Sequence, residues 1–425
     1  MNIHVYGTDL TAWTAASCLA QAGNEVLIVE WNSEDKTPLD SISVLKNEPG
    51  LYDLTVKMIA SGRLSRGTPD ENNSPEVHWL ALKPTEQKNA VAIAKKIADT
   101  KSENILVVNQ CNFGVGSTDL LQSYLDCDNN QVVVCIPDYL QEGHAITGFS
   151  SPKRITLGSE NSWGLSIAQA VIRPFSKQIE HFQVMTAKEA EFTKFAVTGM
   201  LALRLGYVNE LANLADNLDV DIEVIRDSMG ADPRIGSHYL YPGCGFGGLN
   251  FSEYLSRFSD IFEQSKTPSL VKTVVNQNEV QKDIVFRKLW QHYSGNLKEK
   301  TVTVWGAAFK PETASIDNGP SLKLIEALLA QSVKVHVHDP QALENIREYF
   351  KDHLHSNQLF YHSDKYEALT GSEALLLVTE WSEYWSPDYR RLTSLMSNPL
   401  IIDGRNIYDK AILNEYGIAY KGIGR

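Results

Sequence analysis

Residues 1–30 read MNIHVYGTDLTAWTAASCLAQAGNEVLIVE. Asn2 to Tyr6 is a short apolar run into Gly7. Leu10 to Ala22 is alanine-rich and stops at Gly23, and Glu25 to Glu30 is a second apolar run closing on an acid. Strand, turn, helix and strand at this spacing predict the βαβ opening of a doubly wound sheet of the dinucleotide-binding kind, with Glu30 placed to hold ribose hydroxyls. The glycine fingerprint is incomplete. Gly7 takes its first place, Asp9 its second and Ala12 its third. Alanine suffices at the third. At the second, Asp9 puts a negative side chain where backbone must approach a diphosphate. NAD is therefore the cofactor this opening implies, at a motif that Asp9 impairs. A doubly wound domain with a damaged cofactor site is the competing reading.

The alternation continues outward. Val77–Leu82, Ile105–Asn109 and Val132–Ile136 read as buried strands, with helical patterns at 85–99 and 118–125 between them. The last strand runs into Pro137-Asp138-Tyr139-Leu140-Gln141-Glu142-Gly143. Loops at the carboxyl ends of parallel strands bind ligands, so Asp138 and Glu142 are candidates. The bland alternative is a pair of solvated surface acids. From Ala187 to Leu218 apolar residues recur at three and four with no proline, which predicts one long helix with Phe195, Leu201, Leu205 and Val208 toward a core. Lys194 lies in that apolar context and needs a partner if buried.

Beyond the helix, the stretch 232–254 holds five glycines, four of them in Gly243-Cys244-Gly245-Phe246-Gly247-Gly248. Such density excludes a helix or strand and fits backbone lying close to a phosphate or sugar, or else a plain surface loop. Glu299–Lys300 reads as a hinge. The strand Thr301–Trp305 then ends in Gly306, Val333–His338 ends at Asp339, Ala374–Val378 runs into Thr379, and Leu400–Ile402 runs into Asp403. This is a second α/β sheet, with the cations Lys310 and Arg405 near strand ends. The expected division is 1–186, a Rossmann-like domain; 187–298, a helical dimerisation region; and 299–425, a second Rossmann-like domain.

Composition bounds the rest. The 425 residues are 43% hydrophobic and 21% charged, as in soluble globular chains. A net charge of −13 argues against a nucleic-acid surface but leaves room for a local cationic pocket. Five irregularly spaced cysteines without CxxC suggest a reduced, cytosolic protein with neither a disulfide framework nor a zinc site. No apolar run reaches membrane-spanning length, and no secretory leader pattern opens the chain.

Several ordered motifs carry a resemblance. They are Glu48-Pro49-Gly50-Leu51, Ser61-Gly62-Arg63-Leu64, the segment 137–143, Asn209-Glu210-Leu211-Ala212-Asn213, Asp232-Pro233-Arg234-Ile235-Gly236, Phe309-Lys310-Pro311, Thr379-Glu380-Trp381 and Asp403-Gly404-Arg405-Asn406. Along nearly its whole length the chain resembles the UDP-glucose/GDP-mannose dehydrogenase family. The resemblance implies oxidation of a nucleotide sugar at C6 with two NAD molecules, through a cysteine thiolate that captures the aldehyde. It also implies a homodimer or larger assembly, in which Arg234 reaches a neighbouring subunit's sugar.

The family writes its thiolate site GxGxGGSCFxKD. Here the nucleophile position is Asn250, the lysine position Glu253 and the aspartate position Tyr254. An amide cannot act as a thiolate does, and Cys244, six residues earlier, is expected to point away from the sugar. Thr198, Asn112 and Asp317 also depart from the family's asparagine, threonine and arginine. Glu142 resembles the family glutamate near the general base, and Lys194 its active-site lysine. On the substrate side, Asp138, Arg234, Gly245, Gly247, Gly248, Lys310 and Arg405 are retained. Three readings stay open. The chain is a nucleotide-sugar-binding relative without the four-electron oxidation, in polysaccharide precursor metabolism. Or it is a working dehydrogenase with two-electron or altered chemistry. Or it is a non-enzymatic scaffold.

Overall fold

The computed structural model describes residues 1–29, 31, 37–69, 75–177 and 182–425. Glu30, expected at the ribose, lies outside them. The chain forms two compact units, Met1–Val197 and Thr198–Arg425.

The first unit is built on β1 (Asn2–Tyr6), β2 (Glu25–Val29), β3 (Leu64–Gly67), β4 (Val77–Leu80), β5 (Ile105–Asn109), β6 (Gln131–Cys135), β7 (Thr156–Gly158) and β8 (Gln183–Met185). Their order is β3-β2-β1-β4-β5-β6-β7-β8. All neighbours run parallel except β6 and β7. Chain order reverses between β1 and β4, which opens a crevice at their carboxyl ends. Apolar clusters cover both faces, one around Ile3, Val5, Trp79 and Val108, the other around Tyr6, Leu80, Val107 and Val133. Burial on both faces is why these strands read as continuous apolar runs rather than alternating ones. Helix α1 (Leu10–Gln21) follows β1, and α2 (Gln87–Asp99) and α3 (Ser117–Gln122) fill the later crossovers.

The second unit holds a six-stranded parallel sheet. Its strands are β9 (Thr301–Trp305), β10 (Lys334–His338), β11 (Leu359–His362), β12 (Ala374–Leu377), β13 (Leu400–Asp403) and β14 (Ala419–Lys421), in the order β11-β10-β9-β12-β13-β14. Helix α4 (Ala187–Leu218) has the bounds its periodicity predicts; Phe195 and Val208 are buried, while Leu201 and Leu205 are half-buried. Helices α5 (Leu249–Gln264) and α6 (Leu270–Gln281) follow the glycine loop. Glu299–Lys300, read as a hinge, is tied down within this unit. The Glu299 amide donates to the Ser332 carbonyl, and Lys300 pairs with Glu373 at 2.8 Å. Among the described residues no helix is long and apolar enough to cross a membrane.

The first sheet buries two histidines. His78 shares a 2.8 Å hydrogen bond with the Tyr6 hydroxyl, whereas Nδ1 of His4 is buried without a partner. Burial holds both neutral, pulling His4 down to about 4 and His78 down to about 3. Unfolded histidine titrates near 6.5, so acid loads the unfolded chain first. The stability these rings preserve at neutral pH is therefore lost as pH falls from about 6.5 toward 4. His4→Leu is expected to shrink the loss between pH 7 and pH 5 by roughly 1–2 kcal/mol, read from urea denaturation at the two pH values. An unchanged loss would mean that His4 is not held neutral.

Candidate functional site

Each unit carries candidate site residues of its own. In the first, Gly7 leaves β1 at φ 141°, and a Cβ there would meet the Ala81 carbonyl oxygen at 2.1 Å. Only glycine fits so close to a neighbouring strand end. Asp9 is the N-cap of α1 with extended backbone, its side chain makes no capping hydrogen bond, and its Oδ1 is buried without a partner. Burial, then the charge of Asp138, raises its carboxyl to about 6. Ala12 is fully buried behind it.

Asp138 follows β6 and is 8% exposed. It accepts from the Thr11 hydroxyl at 2.9 Å and from the Leu140 amide at 2.8 Å. Burial pushes its carboxyl up, and the charge of Lys194 is the largest opposing influence. Lys194 in turn is pushed down by burial and held up by Asp138, and its ammonium lies 5.1 Å from the Tyr139 ring centre. This is an acid–base pair at the carboxyl end of a parallel sheet, where proton transfer to a ligand can be staged. The loop is fixed from behind by buried Glu48, which accepts from the Gly143 and Ala145 amides at 2.7 Å each. Glu142 is half-buried in the same loop.

In the second unit the glycine loop is latched on several sides. Asn209 Oδ1 accepts from the Gly243 amide at 2.8 Å, and Gln281 donates to the Gly243 carbonyl at 2.7 Å. Asn278 accepts from the Phe246 amide at 2.8 Å and donates to the Phe246 carbonyl at 2.9 Å. The Cys244 amide donates to the Gly404 carbonyl, and the Gly248 amide to the Asp317 carbonyl. A Cβ on Gly247 would meet the Asn318 carbonyl oxygen at 2.7 Å, and Gly245 and Gly248 have φ of 94° and 91°. Arg405 is held by Val378 O at 2.6 Å and by Glu380 at 3.0 Å, and its own amide donates to Asp403. Lys310 is half-buried after Phe309.

Three sequence profiles of the UDP-glucose/GDP-mannose dehydrogenase family match in order: the NAD binding domain at 1–176, the central domain at 188–280 and the UDP binding domain at 303–410. The UDP-glucose 6-dehydrogenase of Pseudomonas aeruginosa is 31% identical over 442 residues, covering 100% of this chain and 98% of that protein. The chain belongs to this family. The UDP-glucose 6-dehydrogenase of Rhizobium meliloti is 29% identical over 442 residues, with 100% of both covered. The structure of a UDP-glucose dehydrogenase from Pyrobaculum islandicum superposes with a TM-score of 0.85 at 26% identity, covering 100% of this chain and 97% of that one.

Against the family's thiolate motif, Asn250 is exposed in the first turn of α5, and Tyr254, one turn on, is 5% exposed. Cys244 is 1% exposed, burial pushes its thiol up, and its Sγ lies 3.7 Å from the Val378 carbonyl. A buried, protonated thiol is no nucleophile. Arg234 is 86% exposed, with its guanidinium forked onto Asp232 by bonds of 3.0 and 2.6 Å. Thr198 is buried, and Asp317 is exposed with Ser315 donating to it at 3.0 Å.

Reading the sequence missed the latch residues. Asn278, Gln281 and Lys282 recur at helical spacing, and Lys282 is 1% exposed with 2.6 Å bonds to Glu279 and Asn318. Three buried polar groups on one helix face were the available signal. Asn278→Ala leaves the Phe246 amide and carbonyl without this partner, at a cost of about 1–3 kcal/mol. Faster hydrogen exchange confined to 243–248 is expected; unchanged exchange there would show that the latch does not hold the loop.

Proposed function

We propose that this chain binds a nucleotide sugar, most simply a UDP-sugar, and does not carry that sugar through the four-electron oxidation at C6. The carrying observation is Asn250. It stands exposed directly after an intact, latched glycine loop, at the position where the family places its thiolate. An amide forms no thiohemiacetal, so the second oxidation lacks its covalent route. The buried thiol of Cys244 does not replace it. Retained glycines, Lys310 and Arg405 support the binding half of the reading, as does the match to the family's UDP binding domain. The activity named for both relatives, UDP-glucose 6-dehydrogenase, supports UDP over other bases. A place in polysaccharide precursor metabolism follows from that substrate class. Free cysteines support a reduced, cytosolic setting.

A second reading is favoured by one observation. The Asp138–Lys194 pair is the machinery of a proton-coupled alcohol oxidation, so a two-electron step ending at the aldehyde is its natural product. The tight Gly7 turn, which has no room for a Cβ, is of the kind that lets backbone approach a dinucleotide, while ionised Asp9 opposes its diphosphate. A thermal-shift panel separates the readings. UDP-sugars are expected to raise the melting temperature, since a ligand of the native state stabilises it. No uronic acid should form with NAD. One NADH per sugar with aldehyde product selects the two-electron reading, and two NADH per sugar overturns the proposal. No shift with any nucleotide sugar leaves the scaffold reading.

The assembly is proposed as a homodimer. Met200, Tyr207, Leu214 and Leu218 are 50–61% exposed on α4, at spacings of seven, seven and four. An apolar helical stripe of this kind is covered by a second copy in a symmetric pair. Light scattering is expected to give twice the chain mass, and Tyr207→Glu with Leu214→Glu to give the monomer.

A further inference from the structure

Helix amide ends attract anions, and a dinucleotide diphosphate exploits this in a βαβ opening. In α1 that place already has a carboxylate beside it. Asp9 has extended backbone, φ −101° and ψ −169°, so its presence costs no backbone strain. Its Oδ1 is buried without a partner. Among the described residues, the charged groups around it come from the segments after β4 and β6. Lys83 and Glu86 follow β4, Asp138 follows β6, and the neutral thiol of Cys111 follows β5. Lys83 and the Ala12 backbone amide favour the ionised form, while burial, Asp138 and Glu86 oppose it. An arriving diphosphate adds negative charge on the side of Asp138 and Glu86.

We propose that Asp9 makes dinucleotide binding by the first unit proton-coupled: one proton from solvent is taken up on its carboxyl, whose O–H then donates to a diphosphate oxygen. Ionised, the same group repels the ligand. The inference rests on the reading that the first unit takes a dinucleotide. Asp9 already titrates at about 6 without ligand, so the proton is available near neutral pH. The geometry supplies the reason: an orphaned oxygen at an anion-binding helix end becomes a hydrogen-bond donor only when protonated.

The test is titration calorimetry of the full chain with NADH. Affinity is expected to weaken about tenfold per pH unit above pH 7 and to level off below about 6. At pH 7.5, buffers of different ionisation enthalpy should report close to one proton taken up. Asp9→Asn donates without charge and Asp9→Gly removes the group. Both are expected to bind NADH with pH-independent affinity and no buffer dependence. A melting-temperature shift with a UDP-sugar reports whether each variant is folded. Tight NADH binding by Asp9→Gly without proton uptake in the wild type overturns the coupling alone. No NADH binding by the wild type at pH 6 or by either folded variant overturns the coupling and the dinucleotide reading together.

Discussion

A glycine-rich backbone has no side chains of its own to hold its shape, so the loop 243–248 depends on hydrogen bonds supplied from elsewhere. The two bonds from Asn278 to Phe246 are central, because they fix both the amide and the carbonyl of one residue. Asn209 and Gln281 fix Gly243 in the same paired way. The Cys244 and Gly248 amides reach Gly404 and Asp317, which belong to the segments that follow β13 and β9. Ordering a glycine-rich segment carries a large entropic cost, and these fixed amides offset it before any ligand arrives. The loop is therefore a preorganised surface, whatever reaction follows.

Much of this was legible in the sequence. Apolar runs marked β1, β2, β4, β5, β6, β9, β10, β12 and β13, because strands buried on both faces leave long apolar signatures. The strands that escaped were short or mixed. β3 contains Arg66 and Gly67, β7 and β8 have three residues each, and β11 carries a histidine. Such strands owe their existence to an already formed neighbour rather than to their own pattern. The site divided along the same line. Residues tied to a local motif, such as Gly7, Gly248 and Arg405, could be read. Thr11 on Asp138, separated by 127 positions, could not. Glu191 was missed for the same reason: it caps α3 by accepting from Gly116, Ser117 and Thr118, more than seventy positions away.

The two acids of the segment 137–143 show how structure redistributes roles that spacing leaves open. Both Asp138 and Glu142 follow the same strand. It is Asp138 whose carboxylate is buried, doubly hydrogen-bonded and coupled to Lys194. A buried carboxylate with two donors and a cation is poised either to hold a ligand hydroxyl or to move its proton. On geometry Asp138 is thus a second candidate for a proton role, beside the one the resemblance implies for Glu142.

Asp9 and Asn250 depart from the family's motifs in opposite senses. On the proposed reading Asn250 puts a neutral amide where the family places its thiolate, and an amide does not supply covalent capture. Asp9 adds an ionisable group where none is needed, and protonation can neutralise it. The first change is chemical and irreversible by conditions; the second is electrostatic and graded by pH. The Gly7 turn, the packed Ala12 and the Asp138–Lys194 pair lie around that carboxylate. On the proposed reading they are what a dinucleotide would meet, and the protonation of Asp9 would then grade its affinity.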